Sequence, residues 1–341
     1  MENKPGELYF MYEKDWLTEK RTNYIKIGIV RNTRSASDRA GDHQTGNPRL
    51  VENLAVIQTQ AINKLETTLH QRLAPYRITG EWFDLTETQI ANAIDTAKQL
   101  ASEVDSAQRT FIQCEQLGTQ ISTDLIIPAT TEANDIFDTL KNYKLELDAV
   151  KLKLKAAKSG IQQAAMKSGG VRGICKWSPT APSTRFDKTK LQKTDPQLWE
   201  KYCTKHKLQT KFLISFDRVS RSSSIEPNTD LDLEDTYPTD AELKIELARQ
   251  PVIEMLHASY LQLLTEQALI EWKNEFLEAE LKVLCGETQG IENICTWKRE
   301  NKIDFDLETF KKENPDLATS FMVSSGGRPR FGVYDYRQYP R

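Results

Sequence analysis

Six side chains near the start of the chain could do acid–base or metal chemistry, and they recur at short spacings. Tyr9 lies in the aromatic run LYFMY (8–12), and Lys26 and Gly28 lie in YIKIGIV (24–30). Arg39 and His43 are four residues apart in SASDRAGDHQ, as are Glu66 and His70 in KLETTLHQR. A separation of four puts both members of a pair on one helix face. A carboxylate such as Glu66 can hold a hard divalent cation through oxygen. An arginine braces a phosphate with its two-pronged guanidinium, and Tyr, Lys or His can take a proton from water. With a metal to stabilise the leaving oxygen, this is an inventory for cleaving phosphodiesters. Singly, each residue has a plainer reading. Tyr9 is an ordinary strand aromatic, Arg39 and His43 a solvated helix face, Glu66 a surface ion pair, and His70 the edge of a core. Gly28 then serves only a close backbone approach. The joint order favours an active site.

Elements able to position these residues follow from periodicity. Residues 8–12 and 24–30 read as two strands of a hairpin-like pair joined by a charged connection. SASDRAGDHQ reads as a helix capped by Ser35 or Ser37, ended by the TGNP breaker at 45–48. LVENLAVIQTQ gives a third strand. AINKLETTLHQRLAPY is an amphipathic helix with Ile62, Leu65, Leu69 and Leu73 on one stripe. GEWFDL follows as a loop or short strand, and ETQIANAIDTAKQLASEV as a long helix. Together these make a compact α+β domain.

At this point the segment 5–95 resembles the GIY-YIG nuclease superfamily, most closely its phage-type branch with KIG and EWF motifs. ELYFMY stands at the first motif, so Tyr9 matches its tyrosine, and KIGI stands at the second, so Gly28 matches its glycine. RAGDHQTGNP resembles the branch's arginine helix, carrying Arg39 and His43. KLETTLHQRLAPYRITGEWF resembles its glutamate helix and closing signature. The resemblance implies a three-stranded antiparallel sheet flanked by helices. It also implies in-line hydrolysis of DNA with Mg²⁺ or Mn²⁺: Tyr9 near the attacking water, Arg39 on the phosphate, Glu66 on the metal. Two positions depart from the pattern. Lys26 occupies the place of the second motif's tyrosine, and the polar position after the glutamate helix falls at or near Glu81.

Beyond this domain, residues 134–167 read as a long helix, and a stretch then recurs. GVRGICKW (170–177) matches GIENICTW (290–297), and RFDKTKLQKTDPQLWEKY (185–202) matches DFDLETFKKENPDLATSF (304–321). Each copy is preceded by a long charged helix and followed by a short strand, so the C-terminal half reads as a duplication of about 120 residues. Each copy is expected to fold as a small α+β module. The motifs FD, PQLWEKY and KFLI resemble the tail segment of YqaJ-type phage recombination nucleases. The copies differ in charge: residues 167–222 hold thirteen basic and four acidic residues, and residues 288–341 nine and eight. The first copy therefore has the footprint of a phosphate contact, with Lys176, Lys188, Lys190, Lys193, Lys205, Lys207 and Lys211 as DNA-binding candidates. Trp177, Trp199 and Tyr202 are available to stack on bases or, alternatively, form a module core. The helices at 134–167 and 249–284 can pair with each other, self-associate or dock a protein partner.

The bulk composition sets outer limits. With 341 residues, 38% hydrophobic and 28% charged, the chain has room for two or three globular domains. The division expected is 1–103 nuclease-like domain, 104–133 connector, 134–222 first basic repeat, 223–248 acidic linker and 249–341 second repeat. Five scattered cysteines without zinc spacing point to reduced thiols, and no apolar run reaches membrane-spanning length. The expectation is a cytoplasmic, membrane-free, metal-dependent DNA endonuclease of phage or prophage DNA metabolism. The competing expectation is an adaptor that binds DNA or protein and has lost turnover.

Overall fold

A computed structural model of the chain describes residues 5–31, 33–165, 167–216, 237–327 and 329–335. The N-terminal sheet is built on β1 (Gly6–Lys14), with β2 (Arg21–Arg31) and β3 (Leu50–Thr59) antiparallel on either side. Alternation along β1 sends Leu8 and Phe10 to one face and Tyr9 and Met11 to the other; all four are buried, so both faces are covered. Leu8, Phe10, Ile25 and Ile27 pack with Leu65 and Leu69 of α2 (Ile62–Arg72) and Ile90 and Ala97 of α3 (Glu87–Gly118). Tyr9 and Met11 pack with Ala36 of α1 (Ala36–Gln44). Three strands were expected and five are present. A hairpin of β4 (Arg77–Thr79) and β5 (Trp82–Asp84) adds to β2, giving the order β3-β1-β2-β5-β4. Strands of three residues are too short to show an alternating pattern.

The helix α3 does not end near Val104, where the sequence pattern ended it. It begins at a Thr86–Gln89 capping box and runs unbroken to Gly118. Its later turns hold Val104, Ala107 and Phe111 against Trp272 and Phe276 of α7 (Pro251–Cys285), so part of the expected connector is rigid helix packed on the C-terminal half. α4 (Thr131–Ala164) and α7 pack on one another through Leu147, Val150 and Leu154 against Leu263, Leu264 and Ile270. The apolar stripes read as available for self-association are covered within the chain over this stretch.

The two copies do not fold as separate modules. In the first, β6 (Ile126–Ile127) and α4 lead into β7 (Gly170–Val171), β8 (Cys175–Ser178), β9 (Ser183–Phe186), α5 (Lys188–Thr194), α6 (Pro196–Lys201) and β10 (Cys203–Ile214). In the second, β11 (Glu246–Leu247) and α7 lead into β12 (Gly290–Ile291), β13 (Cys295–Phe305), α8 (Leu307–Glu313), α9 (Pro315–Ser320), β14 (Met322–Ser325) and β15 (Arg330–Val333). Each sheet draws strands from both copies, in the orders β10-β13-β12-β6 and β11-β7-β8-β15. These orders are interchanged when the copies are swapped. Individual hydrogen bonds follow suit. The Arg172 amide donates to Leu247 O (3.1 Å) as the Glu292 amide donates to Ile127 O (2.9 Å). The Asp187 amide donates to Phe321 O (2.9 Å) as the Asp306 amide donates to Tyr202 O (2.8 Å). A strand's own pattern specifies which face is buried but not which chain segment lies beside it, so the exchange is invisible in the repeat itself. Of the acidic linker, residues 223–236 lie outside the described residues; its end contains β11, paired in parallel with β7. Among the described residues no helix is long and apolar enough to cross a membrane.

Candidate active site

The sheet register explains why Gly28 and Tyr9 belong together. They are directly opposite across β1 and β2, with Met11 opposite Lys26 two residues on, so Tyr9, Gly28 and Lys26 share the face covered by α1. A Cβ on Gly28 would sit 2.4 Å from the Tyr9 hydroxyl and 3.1 Å from Glu81 Oε2. Only hydrogen at position 28 leaves the phenol its place. α1 is fixed over this face at both ends. Ser35 and Asp38 form a capping box, and Glu7 of β1 accepts from the Ala36 amide at 2.8 Å. After the helix, Gln44 is tied to the turn through Asn47 O and Arg49 O, and Asn47 donates to Glu13 at 2.7 Å. This seating brings the Arg39 guanidinium close enough to the Tyr9 hydroxyl for its charge to act on it, and Arg39 donates to Asp42 at 3.2 Å.

Lys26 is 8% exposed and its ammonium lies 2.7 Å from Glu81 Oε2. Glu81 precedes β5, the short strand that the sequence offered as an alternative to a loop, and its carbonyl accepts from the Ile27 amide at 3.0 Å, so the short hairpin places this carboxylate. Glu81 is the candidate residue whose role the sequence left unassigned. Its signal was the GEWF signature. His70 does not join Glu66 in the cluster. Its Nε2 donates to Ile27 O at 2.8 Å and its ring lies 5.2 Å from that of Phe83, which ties α2 to β2.

The charges fall into a consistent pattern. Burial, with help from the Glu81 and Glu66 carboxylates, pushes the Tyr9 hydroxyl up to about 12, against the lowering pull of Arg39. Tyr9 is therefore a neutral phenol at pH 7. A neutral phenol can both donate one hydrogen bond and accept others. Burial, then the positive charges of Lys26 and Arg39, hold His43 below the ordinary histidine value. Its Nε2 is buried without a hydrogen-bond partner, so at neutral pH it is an uncharged imidazole with unused hydrogen-bonding capacity. Burial works to raise Glu81, but its hydrogen bond to Lys26 and the nearby cations outweigh it and keep the carboxyl ionised.

Residues 8–98 match the T5orf172 domain. This is a phage-associated domain of the endonuclease type, and the matched T5orf172 segment contains nearly all of the five-stranded sheet together with α1, α2 and the start of α3. No curated protein and no solved structure matches the chain. Tyr9, Lys26, Gly28, Arg39, His43, Glu66 and Glu81 all lie inside the T5orf172 segment. Its donor set is spare: among the described residues no three His, Cys, Asp or Glu side chains gather as a metal cage. Glu66 and Glu81 are the carboxylates whose charge reaches Tyr9. Magnesium keeps several waters and takes one or two carboxylates plus substrate phosphates, so these residues fit it; they do not supply the closed nitrogen and sulfur set of a structural zinc.

Outside the T5orf172 segment, Lys176, Lys190, Lys193, Lys205, Lys207 and Lys211 are exposed, and Lys188 is half-buried with its ammonium 3.2 Å from Asp304. The first copy's aromatics are core groups and not a base-stacking platform. Trp177 and Tyr202 are buried, and Trp199 stacks on Phe305 of the other copy at 4.5 Å.

Proposed function

We propose that the N-terminal domain hydrolyses phosphodiester bonds in DNA, with Mg²⁺ or Mn²⁺ held by Glu66. The observation that carries this reading is the Tyr9–Gly28 juxtaposition on a face that also holds the Lys26–Glu81 pair and lies under the helix bearing Arg39 and His43, within a nuclease-type domain. The ion would polarise the phosphate and stabilise the leaving oxygen. The remaining work falls to side chains. Arg39 braces the scissile phosphate beside Tyr9, whose proton is directed at the nucleophile's oxygen or at the phosphate. Lys26 cannot accept a proton while it is an ammonium on Glu81. His43, uncharged and with Nε2 unsatisfied, is the group suited to take the proton from water. Lys26 is thereby read as a fixed positive charge that keeps His43 neutral and Glu81 in place.

The test is incubation of the purified protein with single-stranded, duplex and branched DNA, with Mg²⁺, Mn²⁺ or chelator, beside Glu66→Ala, Tyr9→Phe and His43→Ala. Metal-dependent cutting by the parent, lost with Glu66→Ala and reduced about 100-fold or more with His43→Ala, is the expected result. Undiminished cutting by Glu66→Ala sinks the site assignment. The second reading, a DNA-binding adaptor, is favoured by the close Lys26–Glu81 pair, which neutralises two groups a nuclease would use. It expects DNA binding with no product on any substrate.

A further inference from the structure

β10 and β13 run antiparallel from Cys203 opposite Phe305 to Ile214 opposite Cys295. Both ends are anchored. Phe305 sits in an aromatic cluster with Phe310, Tyr202 and Phe186, and Ile214, Cys295 and Trp297 sit in the core under α4 and α7. Between the anchors, residues 204–207, 209–211 and 301–304 are exposed, so consecutive side chains on both strands meet water. Over 204–207 and 301–304 this stretch is a two-stranded ribbon with solvent on both faces, whereas at Thr210 opposite the fully buried Arg299 one face is covered.

One face of the ribbon carries Lys207 opposite Lys302 and Lys211 opposite Lys298, with Gln209 opposite Glu300 between them and Lys205 opposite Asp304 beyond. Of its two carboxylates, Glu300 is paired with Lys298 and Asp304 with Lys188. Like charges directly across a ladder destabilise it, so two lysine pairs in one register are a cost to the fold. Nor does the architecture demand them. The counterpart pairings, made by the same elements with the copies interchanged, set Lys176 against Gly332, Ser178 against Arg330 and Thr184 against Ser324, and no lysine faces a lysine. The pairs are also invisible to a copy-by-copy count of charge, because Lys298 and Lys302 belong to the nearly neutral second copy and reach the basic face only through strand exchange.

We propose that this lysine face of the β10–β13 ribbon is a backbone contact for duplex DNA, built jointly by the two copies; it rests on the nuclease reading for its substrate. A two-stranded ribbon is of a size that the major groove admits. A row of lysines without a partner for each meets phosphates as point charges and carries no base readout.

The test uses the full chain in chelator with a labelled duplex, its affinity followed from about 50 to about 200 mM salt. K207Q/K302Q should lower affinity and flatten the log–log salt dependence by about two, one for each lysine withdrawn from a phosphate. Its Tm should equal or exceed the parent's, because a repulsive pair has gone. K211Q/K298Q should also lower affinity and flatten the slope, by less because Lys298 is already paired with Glu300, and serves if the first variant folds poorly. K151Q/K155Q, two exposed lysines on α4 outside the ribbon, should keep the parent's slope. An unchanged slope in both ribbon variants overturns the proposal, as does an equal loss in K151Q/K155Q, or binding of polyglutamate in preference to DNA. Cutting by the parent with normal binding by the ribbon variants defeats the ribbon alone. Loss of binding in those variants from a parent that never cuts supports the ribbon and defeats the nuclease reading.

Discussion

At Gly28 the chemistry depends on a missing methyl group. Gly28→Ala puts a Cβ 2.4 Å from the Tyr9 hydroxyl, on a sheet position that cannot retreat because β2 is hydrogen-bonded to β1 and β5. Overpacking of this kind costs about 1–3 kcal/mol. The expected outcome is a protein that still melts cooperatively, at lower temperature, and cuts far more slowly; normal cutting would mean that the Tyr9 position is not critical. His70 supports a prediction about pH. Burial drives it down to about 4, from an ordinary value of 6.5, although its bond to Ile27 O opposes the shift. The folded state thus prefers the neutral ring. Its contribution is full above pH 6.5 and is lost as pH falls from there toward 4, where the folded state too becomes protonated. Between about pH 7.5 and about pH 5 the loss from this residue is about 2 kcal/mol. Urea melts of the parent should therefore fall more steeply over that interval than those of His70→Gln, and parallel curves would refute the assignment. Tyr9, Arg39, His43 and Glu66 were legible as candidates because their spacing survives in one dimension. For His70 the plainer reading, the edge of a core, is the one the structure shows; spacing could not choose it, since Glu66 and His70 have the same helical spacing as Arg39 and His43 and only packing separates them.

The elements divide by how much of their partner is local. β1, β2, α1 and α2 were readable because apolar alternation and the Ser35 cap lie within each segment. The β4–β5 hairpin was not, although it carries Glu81 into the site, because its strands of three residues gain stability only by adding to β2. α3 was cut short because its second half is buried by α7, some 160 residues further along the chain. The ribbon ends at the same kind of long-range contact. Phe305 stacks on Trp199 at 4.5 Å with the rings 5° apart, and lies 6.0 Å from Phe186, so a second-copy residue centres an aromatic cluster drawn from both copies. Phe→Ala in such a core costs about 3–5 kcal/mol. For Phe305→Ala, hydrogen exchange should accelerate in β9 and β10 of the first copy as strongly as in β13. Acceleration confined to one copy's strands would contradict the shared core.

For the molecule as a whole, strand exchange decides what counts as a folding unit. The repeat was visible in the sequence as Cys175/Cys295, Trp177/Trp297 and Pro196/Pro315, yet dividing the chain between the copies cuts through every sheet of the C-terminal half. In a chain ending at residue 216, β7 would lose β11, β8 would lose β15, β9 would lose β14 and β10 would lose β13. α4 would also expose the face that α7 covers. The unpaired strand edges and apolar stripe could be satisfied by a second copy of the same segment, because the pairings are interchangeable between copies. Such exchange of identical elements is a low-cost route to dimers. The expected product of residues 1–216 is therefore a dimer by light scattering, with its dissociation and unfolding occurring together and its Tm rising with concentration. Compensation will be imperfect, since Trp199 would lose Phe305 and face Phe186 of the second copy at the equivalent position. The dimer should consequently be less stable than the intact chain. A monomer at micromolar concentration with full sheet content would show that one copy folds alone, and the exchanged pairing would then be a choice of this chain and not a requirement of its strands.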